Sequence, residues 1–221
     1  MSLHSKLLEK VFFCRMCPKS YGFSSRTPNE PYFKFPPIIG RTRNAAILFI
    51  GINPRISSTN SSLHEALMLN KSNFLNFSAN KFCGQSYIEN ELHYRFHVRL
   101  IKKLFGKHCQ FEDVAAVTEI FLCATETTRS LPASGSPCSD LYLGEVIRLS
   151  NPQVIVAVGK RVVDYFKMSP NKQWGWSHSV LKFDGRDIPF VDISHPANRE
   201  LSESQKNIQL LKVARNLRGW F

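Results

Sequence analysis

The chain has 221 residues, with 29 Lys and Arg against 17 Asp and Glu for a formal charge of +12, and it is 43% apolar and 12% aromatic. That length suits one domain with a real core, and the apolar content excludes a disordered chain. No stretch reaches the ~18 continuous apolar residues of a membrane-spanning helix, and the basic surplus favours a polyanionic partner. The opening Met1-Ser2-Leu3-His4 leads into no hydrophobic signal core, which points to the cytoplasm or nucleus. In a reducing compartment the six cysteines are read as metal ligands or buried thiols rather than disulfides.

In chain order, residues 1–44 read as an irregular segment packed onto a single domain spanning 1–221. Ala45 to Gly51 is a short apolar run ending at glycine, a buried strand. Ser57 to Tyr87 is polar and weakly periodic, read as loops with a short helix near 62–69. Glu91 to Phe105 places Leu92, Phe96, Leu100 and Leu104 on one helical face, with Arg95, Arg99, Lys102 and Lys103 elsewhere on the surface. Strands follow at 113–119, 154–158 and 188–193, and helices at 139–149, 160–167 and from about Ser202 to Leu217. The clearest strand, Val154 to Val158, is entered by Asn151-Pro152 and left by Gly159. Strands apolar throughout imply parallel pairing with both faces covered, and the connections are long enough for helices. The expected fold is α/β, a three-layer α/β/α sandwich around a four-stranded parallel sheet. Ligands in such folds bind beyond the carboxyl ends of the strands, so the loops after Ile50, Val117, Val158 and Ile193 are where function is expected.

Those loops carry three signals. The first strand runs into Gly51-Ile52-Asn53-Pro54-Arg55, where a stiffened turn holds the Asn53 amide at the strand tip; the same fragment also suits an ordinary Asx turn. The last strand runs into Ser194-His195-Pro196-Ala197, which offers a donor to an anion or simply a surface histidine. Cys14-Arg15-Met16-Cys17 is a C-x2-C pair, and Cys123 and Cys138 supply two more thiols from distant loops. Together they make a four-ligand metal set, or else four unrelated buried thiols. Cys83 and Cys109 read as structural. His93, His97 and His108 read as packing or surface residues, and the basic helix as a solvated face or a DNA contact.

In combination these motifs resemble the uracil-DNA glycosylase superfamily, and its iron–sulfur bacterial and archaeal branch in particular. Gly51-Ile52-Asn53-Pro54 is similar to the first catalytic motif, His195-Pro196-Ala197 to the second, and Val154 to Gly159 to the strand before it. The cysteine spacing looks like the arrangement that binds a 4Fe–4S cluster, with zinc or no metal as alternatives. The resemblance spans about residues 14–200. It implies a monomeric, cytoplasmic base-excision repair enzyme that flips a damaged base out of DNA and hydrolyses its N-glycosidic bond. By the same resemblance Asn53 would position water and His195 would stabilise the departing base. Gly51 and Ile52 would line the base pocket, and Phe74, Phe77 or Phe82 would stack on the base. Asn198, Arg199 or Leu201 would fill the vacated helix, Arg199 by motif offset.

Two positions depart from that pattern. Glu119 stands where the iron–sulfur branch generally has an Asn that reads uracil, and Arg55 stands where related motifs often have Gly. An Asn amide offers a donor and an acceptor, whereas an ionised Glu only accepts. Glu119 is therefore read as protonated in a dry pocket, as selecting a deaminated or damaged purine, or as the mark of a non-catalytic nucleic-acid-binding relative. A structural carboxylate paired with Arg129 is the further alternative. The charge is uneven: residues 111–150, which hold Glu119, Cys123 and Cys138, are net acidic, while the segments on either side are basic.

Overall fold

The computed structural model describes residues 3–17, 34–52, 92–123, 138–168, 174–177, 179–195 and 201–221, with the isolated positions 72, 74 and 131. Among these, seven strands form one sheet in the order β1-β3-β2-β4-β7-β6-β5. They are β1 (Ile39–Gly40), β2 (Ile47–Gly51), β3 (Ala115–Glu119), β4 (Val154–Val158), β5 (Trp174–Ser177), β6 (Val180–Phe183) and β7 (Arg186–Ile193).

The middle of the sheet follows the sequence reading. β3, β2, β4 and β7 run parallel, with Gly51 opposite Glu119 and Val158 opposite Ile193. The expectation of a four-stranded parallel sheet is nevertheless corrected, because antiparallel strands extend both edges. β1 pairs with β3, β6 with β7, and β5 with β6. The β6–β7 hairpin turns on Asp184-Gly185, both with positive φ, at 48° and 74°. That two-residue turn matches the twist of its flanking strands, and it starts β7 at Arg186 rather than Ile188.

β3 and β4 are buried at every position and β2 at all but its terminal glycine, so both faces of the sheet are covered. The helices are α1 (Leu3–Phe13), α2 (Leu92–Phe105), α3 (Phe111–Val114), α4 (Gly144–Ser150), α5 (Lys160–Met168) and α6 (Glu203–Leu217). α2 packs on α6, α1 on α4, and α5 on β4 and β7. The step from β2 to β3 runs one way along the sheet, and the steps to β4 and then β7 run the other. With right-handed crossovers this sets α2 and the α4–α5 pair on opposite faces. The direction reverses between β2 and β4, which opens a crevice at their carboxyl ends.

The N-terminal segment, expected to be irregular, begins as α1, which buries Leu7, Leu8 and Val11. The strand expected from 113 begins at Ala115, because Glu112 and Asp113 lie in the short helix α3. The helix expected at 139–149 opens as a π-helix, Ser139–Leu143, and continues as α4 until Asn151 turns left-handed at φ 42°. α6 is started by a capping box: the Ser202 hydroxyl accepts from the Gln205 backbone, and the Gln205 side chain accepts from the Ser202 backbone. The short helix expected near 62–69 lies outside the described residues.

Candidate functional site: a carboxyl pocket at the strand tips and a thiol centre

The carboxyl ends of β3, β2, β4 and β7 bring Glu119, Gly51, Gly159 and His195 to one edge of the sheet. Pairing continues past the strands, since the Ile120 and Phe121 backbone N–H groups donate to the carbonyls of Gly51 and Ile52 at 3.0 and 2.9 Å. Ile52 is thereby fixed against the core.

Glu119 is 7% exposed, and its Oε1 accepts from the Tyr94 hydroxyl at 3.2 Å. Its Oε2 is buried with no hydrogen-bond partner among the described residues. A Cβ on Gly51 would lie 2.0 Å from that oxygen, so only glycine leaves room for the carboxyl group. Burial pushes the Glu119 pKa up to about 8, against the opposing effect of the Tyr94 hydrogen bond. The carboxyl is therefore largely protonated at neutral pH, and offers one donor and one acceptor as an amide does. Tyr94 sits in the first turn of α2 beside His97, which is buried and packs edge-on against Phe49 of β2 at 4.4 Å. His97 is thus a packing residue, as read from the sequence, and His108 is exposed.

His195 is half-buried just past β7. It packs over Gly159, whose φ of 96° suits glycine; a Cβ there would meet the His195 Cβ at 3.4 Å. The Gly159 N–H donates to the Ile193 carbonyl at 2.8 Å, which ties the two strand tips together. Of the other expected site residues, Asn53, Phe82, Asn198 and Arg199 lie outside the described residues, as do Arg55, Phe77 and Arg129. Phe74 is corrected as a base-stacking candidate: it is wholly buried, with its ring 5.3 Å from Phe12 of α1.

The second cluster is made of thiols. Cys17, Cys123 and Cys138 are buried, with their sulfurs within 4.8 Å of one another and Cys17 Sγ 3.6 Å from Cys138 Sγ. Thiolates around one tetrahedral zinc at ~2.3 Å stand ~3.8 Å apart, so this donor set fits a soft metal. Cys14, on the turn leaving α1, lies outside that group. A hydrogen bond with Cys123 lowers the Cys17 pKa, but the bond with Cys138, burial and neighbouring thiolate charge push it up to about 12. Cys138 opens the π-helix; such single π turns recur at functional sites. Cys109 is separate, its thiol donating to the Gln110 carbonyl at 3.5 Å.

Lys34 holds the thiol centre together. It is 1% exposed, and its Nζ donates to the Phe12 carbonyl in the last turn of α1 at 2.8 Å. Its backbone forms an antiparallel bridge with Cys123, next to the Phe35 N–H bond to the Leu122 carbonyl at 2.7 Å. Facing side chains of such a pair share one side, with Cβ atoms about 5 Å apart. One ammonium thus caps the helix that delivers Cys14 and Cys17 while lying beside Cys123. Burial lowers the Lys34 pKa, and the charges of Cys123, Cys14 and Cys138 oppose that.

No family model and no curated protein matches this chain. The site is therefore read from its own residues. Sequence patterning missed Tyr94 and Lys34. Lys34 carried a signal, being the sole charge in the apolar stretch Pro31 to Gly40. Tyr94 carried none, because its partner is set by tertiary contact.

Proposed function

We propose that the chain is a DNA glycosylase of the uracil-DNA glycosylase type, which takes a flipped, deaminated base into the crevice between β2 and β4. The observation that carries this reading is the meeting of Glu119 with Gly51, and of His195 with Gly159, at adjacent strand tips. A protonated Glu119 donates to a base carbonyl and accepts from the adjacent ring N–H, the edge shared by uracil and hypoxanthine. His195 faces the negative charge that moves onto the base as the glycosidic bond breaks. Asn53, two residues beyond the β2 tip, positions the attacking water. The basic surplus of +12 suits binding to the phosphate backbone.

At the thiol centre the residues named by the resemblance are Cys14, Cys17, Cys123 and Cys138, holding a 4Fe–4S cluster. The cluster would supply structural cross-linking between these segments of the chain. The 3.6 Å approach of Cys17 and Cys138 favours a second reading, a single zinc ion. Metal analysis with an absorption spectrum separates them: iron with a broad band near ~400 nm, or colourless protein with stoichiometric zinc.

The activity is tested by incubating the protein with single-stranded and duplex oligonucleotides bearing uracil, hypoxanthine or xanthine, followed by alkaline cleavage of abasic sites. Strand scission on at least one substrate, abolished by Asn53→Ala with binding retained, is expected. Binding without scission on all of them would replace the enzyme by a non-catalytic nucleic-acid-binding relative.

A further inference from the structure

We propose that the groove between the distal halves of α2 and α6 is a docking site for an acidic amphipathic helix of a partner protein, separate from the DNA-reading edge. The groove has a volume of about 260 Å³, with Leu211 and Ala214 as its apolar lining and Lys103, Arg215 and Arg218 as its basic one.

Its position sets it apart from the pocket. α2 starts at the strand tips, where Tyr94 meets Glu119, and runs to the amino edge of the sheet. Lys103 lies nine residues beyond Tyr94, ~13 Å further along the helix axis. α6 starts just past the β7 tip and runs the same way, and ring contact between Phe105 and Phe221 at 4.9 Å joins the two distal ends. A duplex held at the strand tips therefore lies at the other end of these helices.

Charge and apolarity together name the occupant. The one carboxylate of α2 and α6, Glu203, lies in the first turn of α6 and pairs there with Lys206 at 2.9 Å, so the cations at the distal ends of the two helices face no carboxylate from either helix. On the exposed side of α6, Ile208 and Leu211 stand one turn apart, 65% and 49% exposed, with Trp220 53% exposed beyond them. A surface built for phosphates alone has no use for that apolar row. A helix carrying apolar side chains one turn apart, flanked by Asp and Glu, satisfies both features at once.

The test uses the full chain and a short fluorescein-labelled helical peptide with Leu and Phe one turn apart among Glu residues, read by fluorescence anisotropy. Saturable binding is expected. Leu211→Glu, and separately Arg215→Glu with Arg218→Glu, should each weaken it at least about tenfold, while Lys160→Glu on α5 leaves it unchanged. Circular dichroism checks that each variant folds, and base excision by Leu211→Glu should equal that of the unaltered chain. Excision failing in the unaltered chain while peptide binding persists would overturn the glycosylase reading alone. Absent binding would overturn the docking site. So would binding lost on charge reversal but indifferent to Leu211→Glu and displaced by duplex DNA, which marks a general polyanion surface. A dimer mass by light scattering, abolished by Leu211→Glu, would assign the groove to a second copy of this chain and also overturn it.

Discussion

At the tips of β2 and β3, Glu119 is held by neighbours in register: Gly51 directly opposite, and Tyr94 from the helix entering the same layer. At the thiol centre, Cys17, Cys123 and Cys138 arrive from three separate parts of the chain, and Lys34 from a fourth spans two of them. The pocket is thus a by-product of sheet pairing and persists as long as the sheet does. The thiol centre depends on long-range closure, so a metal bound there would contribute to its assembly.

The largest expected effect breaks the second region while sparing the first. Cys138→Ala should drop metal content to background and lower stability by about 4 kcal/mol in urea unfolding, the size for a tightly bound metal present well above its Kd. Cys109→Ala should change neither. Equal effects from the two variants would show that the thiol cluster has no special role.

The next effect belongs to the pocket and depends on pH. Glu119 has its folded pKa raised from 4.5 to about 8. Between those values the folded state binds the extra proton, so stability is full below pH ~4.5, falls as pH rises, and levels off above the folded value. Glu119→Gln removes this slope. Its stability relative to the unaltered chain should therefore climb across that window, by up to about 1.4 kcal/mol per pH unit. Parallel pH profiles would place an ionised carboxylate in the pocket, and excision should likewise decline above pH ~8 only when Glu119 is present.

Gly51→Ala should cost about 2 kcal/mol by driving a methyl into the carboxyl group. Adding Glu119→Ala should recover most of that loss, because the two positions are in contact. The smallest effect is Tyr94→Phe, about 1 kcal/mol, with the Glu119 pKa rising further as its hydrogen bond is lost. A downward shift would mean that the hydroxyl does not stabilise the charged form.

The parallel strands were legible because residues buried on both faces leave continuous apolar runs such as Val154 to Val158. The antiparallel edges were less so, although Asp184-Gly185 is a hairpin signal between Val180–Phe183 and Arg186–Ile193. α1 was hidden among Cys, Arg and Met neighbours, and its amphipathic face becomes clear only against α4. In the pocket, Gly51 could be named from the sequence because it ends a strand, and Glu119 because it stands four residues before Cys123, where the resemblance expects an Asn. Tyr94, Lys34 and the burial of Phe74 could not, since each depends on a partner distant along the chain.

Cys17 and Cys138 are separated by 121 positions, and the chain between them contains Gly51, Tyr94 and Glu119. A metal clasping both thiols would turn that stretch into a closed ring holding Gly51, Tyr94 and Glu119, with Gly159 and His195 outside it. Tension applied at the N-terminus would then peel off α1 and stop at the clasp, leaving Gly51, Tyr94 and Glu119 enclosed until a metal–sulfur bond ruptures. Single-molecule pulling would record this as a force step that disappears when a chelator is added.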